Sequence, residues 1–411
     1  MGPLVSSQQV TRDIVILFST RIIRLFCYGF LSVVLALYLA EAGFGEGQIG
    51  LLFTLTLLGD AVISLALTTS ADRLGRKRTL LLGALLMASA GIAFILTRNI
   101  FLLMIAAIVG VISPSGNEIG PFLSIEQSSL SQLVPDRDRT RAFAWYNLAG
   151  SFATAGGALA GGWLAQVLQN NSWTELDSYR VVLTGYAVGG FLLLLLFLAL
   201  TRSIEVVPTQ DEIKRLLGLH RSRGVVFKLS SLFALDAFAG GLLVQSLIAY
   251  WFHIRFGVEV GTLGSIFFAA NILAGISALL AVRLARRFGL INTMVFTHIP
   301  SNILLILVPL MPTLPLAIAV LLMRFSISQM DVPTRQSYTM AVVAPDERSA
   351  ASGVTAIARS IGAAISPALT GWFFSIPMLL SLPFFLSGGL KIVYDLLLFR
   401  EFRSIKPPEE H

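Results

Sequence analysis

Eight ionisable side chains stand inside otherwise apolar stretches of this chain: Arg21, Arg24, Glu118, Glu126, Asp236, Arg324, Asp331 and Arg335. A charge placed in hydrocarbon costs about 2.5–3.5 kcal/mol unless it is paired or hydrated, so residues of these types do not sit there idly. A carboxylate stripped of water can exchange a proton near neutrality, and an arginine offers a fork of donors to an anion. The chemistry on offer is proton exchange and recognition of a charged solute, with no covalent step. Asp236 and Glu118 are the candidates to carry a proton, and pairing with a nearby arginine is the alternative for each.

The elements that position these groups are apolar helices. Of 411 residues 55% are hydrophobic and only 13% charged, and the mean hydropathy is +0.79, values foreign to a soluble domain of this length. One cysteine, Cys27, excludes a disulfide framework or thiolate cluster, and the histidines His220, His253, His298 and His411 lack ligand spacing. No metal site, cofactor or phosphate-binding loop is expected, and residues 1–13 do not read as a signal peptide.

Apolar runs of about 20 residues read as membrane-crossing helices. Twelve are expected, over 14–40, 47–70, 79–97, 101–131, 142–168, 179–202, 225–253, 260–282, 291–311, 315–341, 349–375 and 381–400. Basic residues collect in alternate loops: Arg73, Arg76, Lys77 and Arg78; Arg137, Arg139 and Arg141; Arg202 to Lys228; Arg286 and Arg287; Arg348; and Arg403 with Lys406. The opposite loops hold little beyond Arg98, Arg180 and Arg255. Both termini are therefore expected in the cytosol, and the net charge of +7 reflects orientation rather than nucleic-acid binding.

The chain repeats itself at an offset of 210 residues: Arg73-Leu74-Gly75-Arg76-Lys77 aligns with Arg283-Leu284-Ala285-Arg286-Arg287, and Pro135-Asp136 with Pro345-Asp346. The expected organisation is a six-helix bundle over 1–202, a polar linker over 203–224 and a second bundle over 225–411. The buried charges do not repeat. Arg24 aligns with Ala234, Asp236 with Phe26, Glu118 with Ser328 and Asp60 with Ala270, as groups needed for function rather than for the frame would do.

The loop Asp72-Arg73-Leu74-Gly75-Arg76-Lys77, placed after the second span, resembles the signature of the major facilitator superfamily of transporters; only its leading glycine is missing, replaced by Thr68. The resemblance implies two pseudo-symmetric six-helix bundles, with helices 1, 4, 7 and 10 lining a central cavity. Those helices carry the eight residues named above. It further implies that Asp72 lies by the start of helix 11, and that Arg73, Gly75 and Arg76 help to hold the cytosolic side closed. Gly157-Ala158-Leu159-Ala160-Gly161-Gly162 keeps the glycines of an antiporter motif in helix 5 without its proline, and plain helix packing explains it equally well.

At about 1.5 Å of rise per residue, Arg21 and Glu126 lie at one depth and Arg24 and Glu118 at another, which predicts two ion pairs between helices 1 and 4. Asp331 and Arg335, four apart, can pair along helix 10, as can Lys391 and Asp395 on helix 12. Asp60 and Arg359 lie at equal depth on helices 2 and 11 and are expected to form a gating pair. Asn117, Gln127, Gln329, Tyr28, Trp145, Tyr146, Tyr250 and Trp251 are further candidates to line the path.

The expected protein is an all-α secondary transporter, not an enzyme. It is expected to act as a monomer in a lipid bilayer, a bacterial plasma membrane, moving a small solute by alternating access with protons as the coupling ion. The glycine pattern leans to efflux of drug-like or metabolite compounds. Uptake of an organic or inorganic anion or a zwitterion is the alternative, followed by a lipid flippase or a non-transporting sensor.

Overall fold

The computed structural model describes residues 7–118, 120–205, 221–344 and 347–403, with the side chains of all of these except residues 7, 72, 73, 136, 137, 140 and 349. The described residues are helical almost throughout, with no strand among them. Eight segments are each long and apolar enough to cross a bilayer. They correspond to all the expected spans except the fourth, fifth, tenth and eleventh, which are more polar or shorter as helices. Large apolar side chains stand exposed along the outside, such as Val62, Phe101 and Leu195, as helices facing lipid require.

Four of the twelve spans are not the continuous helices expected. The first is α1 (Ser7–Ser32) followed by α2 (Leu35–Glu41). The second and third are α3 (Glu46–Leu74) and α4 (Arg76–Leu96). The fourth is α5 (Ile100–Val109) and α6 (Phe122–Leu133), separated by a long non-helical stretch. The fifth and sixth are α7 (Asp136–Asn170) and α8 (Glu175–Ala199). The seventh is α9 (Arg223–Gly241) and α10 (Gln245–Phe256); the eighth and ninth are α11 (Val260–Phe288) and α12 (Leu290–Leu307). The tenth is α13 (Leu314–Phe325) and α14 (Asp331–Ala341), and the last two are α15 (Arg348–Phe374) and α16 (Leu382–Phe402).

The long break in the fourth span has a local cause. Gly110, Pro114, Gly116, Gly120 and Pro121 fall within 12 residues, and Gly116 and Gly120 take φ of +70° and +80°, which a helix cannot contain. The interrupted spans 1, 4, 7 and 10 are the ones that hold the eight charged residues named above.

The chain forms two compact units. The first comprises Met1–Phe44, Leu55–Gln210 and Gln245–Phe268; the second comprises Gly45–Thr54, Asp211–Val244 and Ala269–His411. In the first, α1 and α7 lie backbone to backbone through the glycines of the helix-5 motif. A Cβ added at Gly157 would stand 2.0 Å from the Phe26 carbonyl oxygen, and one at Gly161 would stand 2.2 Å from that of Phe30. In the second, α9 meets α15 in the same way, where a Cβ at Gly362 would stand 2.3 Å from the Ala234 oxygen. Behind that contact Phe233, Met294, Tyr338, Tyr394 and Phe402 pack a buried core.

Gly157→Val should therefore lower the thermal unfolding midpoint of the detergent-solubilised protein by roughly 5 °C or more, because overpacking has backbone and not a flexible side chain to displace. Gly156→Val, one residue away with nothing within 4 Å of its Cβ position, should shift it by much less. Equal shifts would remove close helix approach as the reason for the glycine run.

Candidate functional site

The first unit holds a compact ion cluster on α1, α6, α7 and the break between α5 and α6. Arg24 is fully buried and uses its whole guanidinium: Nε donates to Glu118 at 2.7 Å, and its two terminal nitrogens donate to Glu126 at 2.8 and 2.6 Å. Arg21 donates to the other Glu118 oxygen at 2.7 Å, to the Tyr146 carbonyl at 2.9 Å and to Asn147 at 3.3 Å. Glu126, also fully buried, accepts further bonds from Thr20 at 2.8 Å and from the Tyr146 hydroxyl. Two aromatic faces complete the cage, Tyr146 at 4.4 Å from the Arg21 guanidinium and Phe122 at 4.6 Å from that of Arg24.

Of the two expected pairs, Arg24 with Glu118 forms and Arg21 with Glu126 does not. Glu118 bridges both arginines, and Glu126 belongs to Arg24 rather than to Arg21. Helical rise measured depth along a continuous fourth helix, whereas Glu118 stands on its non-helical stretch and is free of that ruler.

Asp60 is held differently. Its carboxylate accepts the Gly120 N–H at 2.6 Å and the Ser64 hydroxyl at 3.1 Å, with no cation among its partners. Of the expected gating pair, Arg359 bonds to Asp236 within the second unit. Among the described residues Asp60 is the one carboxylate deep in a span without a basic partner. Asp13, at the end of α1, also lacks a cation but gathers three donors from Thr201 and Ser203.

In the second unit Asp236 on α9 is a hub. It accepts Lys391 Nζ at 2.7 Å, Arg335 at 3.0 Å and Arg359 at 3.3 Å. Arg335 also reaches Asp331 at 2.9 Å, the neighbour four residues back on its own helix. Lys391 does not pair with Asp395 as its spacing predicts; Asp395 instead takes His298 at 2.8 Å and Asn302 at 3.2 Å from α12. Arg359 is the loosest member, its side chain 35% exposed where that of Asp236 is 5%. Arg324, in the last turn of α13, has no carboxylate partner among the described residues; its Nε is buried without a hydrogen bond, and its guanidinium rests 4.9 Å from the Phe325 ring.

Deep in the spans, each unit thus leaves one described charge without an ion-pair partner. In the first the surplus is a carboxylate, Asp60, and in the second a guanidinium, Arg324.

The basic loop after α3 works through neighbours the sequence did not single out. Gly75, at φ +96°, turns the chain into α4, whose first N–H groups, those of Arg76 and Lys77, donate to the Glu205 carboxylate at 2.7 and 3.1 Å. A carboxylate at a helix start is stabilised by the free amides and the helix dipole. Arg76 also donates to Gln132 and to the Ile204 carbonyl, and Lys77 to the carbonyls of Leu198 and Leu200, so the loop ties α4 to the ends of α6 and α8. The Asp72 and Arg73 side chains lie outside the described residues. In the second unit Glu347 does for α9 what Glu205 does for α4, accepting the N–H groups of Arg221 and Ser222 at 2.7 and 2.8 Å. Glu205 is one of three acids in the linker 203–224, with Asp211 and Glu212, and nothing in the sequence singled it out.

Twelve spans, four of them interrupted, with ion clusters at the interruptions, are the construction of a membrane transporter. Residues 17–367 match the Major Facilitator Superfamily, and the chain belongs to that family. It is 31% identical over 426 residues to the uncharacterized membrane protein YJR124C of Saccharomyces cerevisiae, covering 96% of this chain and 95% of that one. Its fold is similar to that of a bacterial homologue of the human lysosomal transporter Spinster in an inward-facing, occupied conformation (TM-score 0.72, 18% identity, 98% of both chains). It is also similar to that of a D-xylose–proton symporter (TM-score 0.71, 15% identity, 94% and 97%). The protein is an integral, multi-pass membrane transporter.

Glu126→Gln should lower stability by about 3–5 kcal/mol, since it strips one carboxylate from a dry cage of two arginines. Removing the counter-charge too, in Arg24→Met with Glu126→Gln, should recover part of that loss in a thermal unfolding assay. A double variant no more stable than Glu126→Gln alone would mean that charge balance does not hold the cluster together.

Proposed function

We propose that the protein is a proton-coupled secondary transporter of a small anion or zwitterion, working by alternating access. The observation that carries this reading is the pair of unmatched charges. An arginine in a span with no ion-pair partner and a buried, unbonded Nε costs free energy that an anionic cargo can return, and Arg324 is such a group, accompanied by the partly exposed Arg359. A lone carboxylate held only by an N–H and a hydroxyl can accept a proton without breaking an ion pair, which suits Asp60 better than Asp236 or Glu118, both locked by two or more cations.

The lean to efflux rested on the glycines of helix 5. Their close packing against α1 accounts for them, so anion or zwitterion movement, first placed as the alternative, becomes the preferred reading. The yeast relative supports a eukaryotic membrane as the setting in place of a bacterial one.

The test is flux into proteoliposomes of a panel of small carboxylates, amino acids and inorganic phosphate, with organic amines as the contrast, under an imposed pH gradient. At least one anion or zwitterion should move in response to the gradient. Arg324→Gln should reduce its flux at low concentration by about tenfold or more, and Asp60→Asn should abolish the response to the gradient while leaving substrate exchange intact. Transport of amines alone, insensitive to Arg324→Gln, would overturn the substrate class. Wild-type flux indifferent to the gradient would overturn the coupling.

A further inference from the structure

A groove of about 420 Å³ runs between α11 and α12 in the second unit, lined by Leu284, Phe288, Asn292, Thr293, Phe296 and Thr297. Three of those names are polar, but their polar groups are turned away to backbone. Asn292 donates to the Phe288 carbonyl at 3.0 Å, Thr293 to Gly289 at 2.7 Å and Thr297 to Thr293 at 2.7 Å. The walls therefore present methyl groups, aliphatic carbon and the rings of Phe288 and Phe296, which are 52% and 61% exposed. Such a surface fits a hydrocarbon chain and gives a polar solute little to bond.

The rim at one end of the groove is cationic. Arg283, Arg286 and Arg287 occupy the last turns of α11, all exposed, and among the described residues none has a carboxylate partner. The Arg287 guanidinium lies 5.4 Å from the ring of the groove residue Phe288. From the other flank Phe296 meets Phe399 of α16 edge to face at 5.6 Å, and Arg403 stands 5.8 Å from that same Phe399 ring.

We propose that this groove is a binding site for one anionic phospholipid, with an acyl chain laid along Phe288 and Phe296 and the phosphate held by the arginines of α11. Neither half of the site suffices for another occupant. A neutral lipid fills the groove but leaves the rim without a counter-ion, and a soluble phosphate answers the rim but not the apolar trench. Basic rims between membrane helices on the side rich in Lys and Arg are where anionic headgroups gain most from proximity to guanidinium. The site lies apart from the Asp236 cluster, so it stands whether or not the transported solute is an anion.

The test uses the full-length protein, delipidated in detergent and incubated with equal amounts of phosphatidylserine and phosphatidylcholine of identical acyl chains, with retained lipid counted by native mass spectrometry. Phosphatidylserine should be retained with roughly tenfold preference. Arg283→Gln, Arg286→Gln and Arg287→Gln combined should bring the preference to within about twofold of unity. Thr297→Trp, which fills the trench and leaves every charge in place, should reduce phosphatidylserine retention by a comparable factor. Equal retention of the two lipids by the native protein would overturn the proposal, as would a preference that survives the triple variant. Full competition by soluble glycerophosphoserine, which has the headgroup without chains, would place binding on the rim alone and overturn it too.

Discussion

The structure is governed by the cost of carrying charge into an apolar interior. Nearly all of the charges deep within the described spans of this transporter are arranged so that none stands alone. Arg24 shows how far this goes, with all three guanidinium nitrogens bonded to two carboxylates and an aromatic face against the cation. Asp236 shows the same logic inverted, one carboxylate serving three cations from three other helices. A network so connected cannot lose a member without leaving a charge unbalanced. The two exceptions, Asp60 and Arg324, therefore stand out against it.

The helix interruptions follow from the same constraint on backbone. Within a bilayer an unwound segment must find partners for its N–H and C=O groups inside the protein, and the breaks find them largely in side chains. In the first unit the Pro114 carbonyl accepts both the N–H and the hydroxyl of Ser246, whose hydroxyl also reaches the Ser32 carbonyl, and Gln245 donates to the Ser32 hydroxyl at 2.7 Å. The Tyr186 hydroxyl covers the Val111 carbonyl. Asp60 covers the Gly120 N–H, two residues from Glu118, so the unpaired acid is also a clamp on the segment that aims Glu118 at its two arginines. In the second unit Thr370 donates to the Leu242 carbonyl at 2.7 Å.

Much of this frame was legible in the sequence, because span length, basic loops and internal repetition are properties of runs of residues. The charged positions were legible as well, since a charge in an apolar run announces itself. Their partners were not. Spacing of four residues finds neighbours on one helix, and so it found Asp331 with Arg335, but it also paired Lys391 with Asp395. The lysine turned instead to Asp236 on α9, leaving Asp395 to His298, a residue that sequence spacing gave no reason to notice. Depth along a helix found Arg24 for Glu118 but missed that Glu118 also takes Arg21, because the crowd of glycines and prolines between Gly110 and Pro121 was counted as helix.

The breaks also separate what duplication kept from what it changed. The turn after Ser32 and the turn after Gly241 fall 209 residues apart, close to the repeat of the basic loops, and the fourth and tenth spans are interrupted as the first and seventh are. Glycine-mediated contacts join α1 to α7 and α9 to α15 alike. The charges placed on these matching frames are opposite in their remainder, a carboxylate on one and a guanidinium on the other. Identical copies would leave surpluses of the same sign in both, with no means of coupling unlike ions. Under the proposed function, divergence of the charges on a preserved frame is what would let one unit answer to protons and the other to an anion, through the few residues that the repeat does not share.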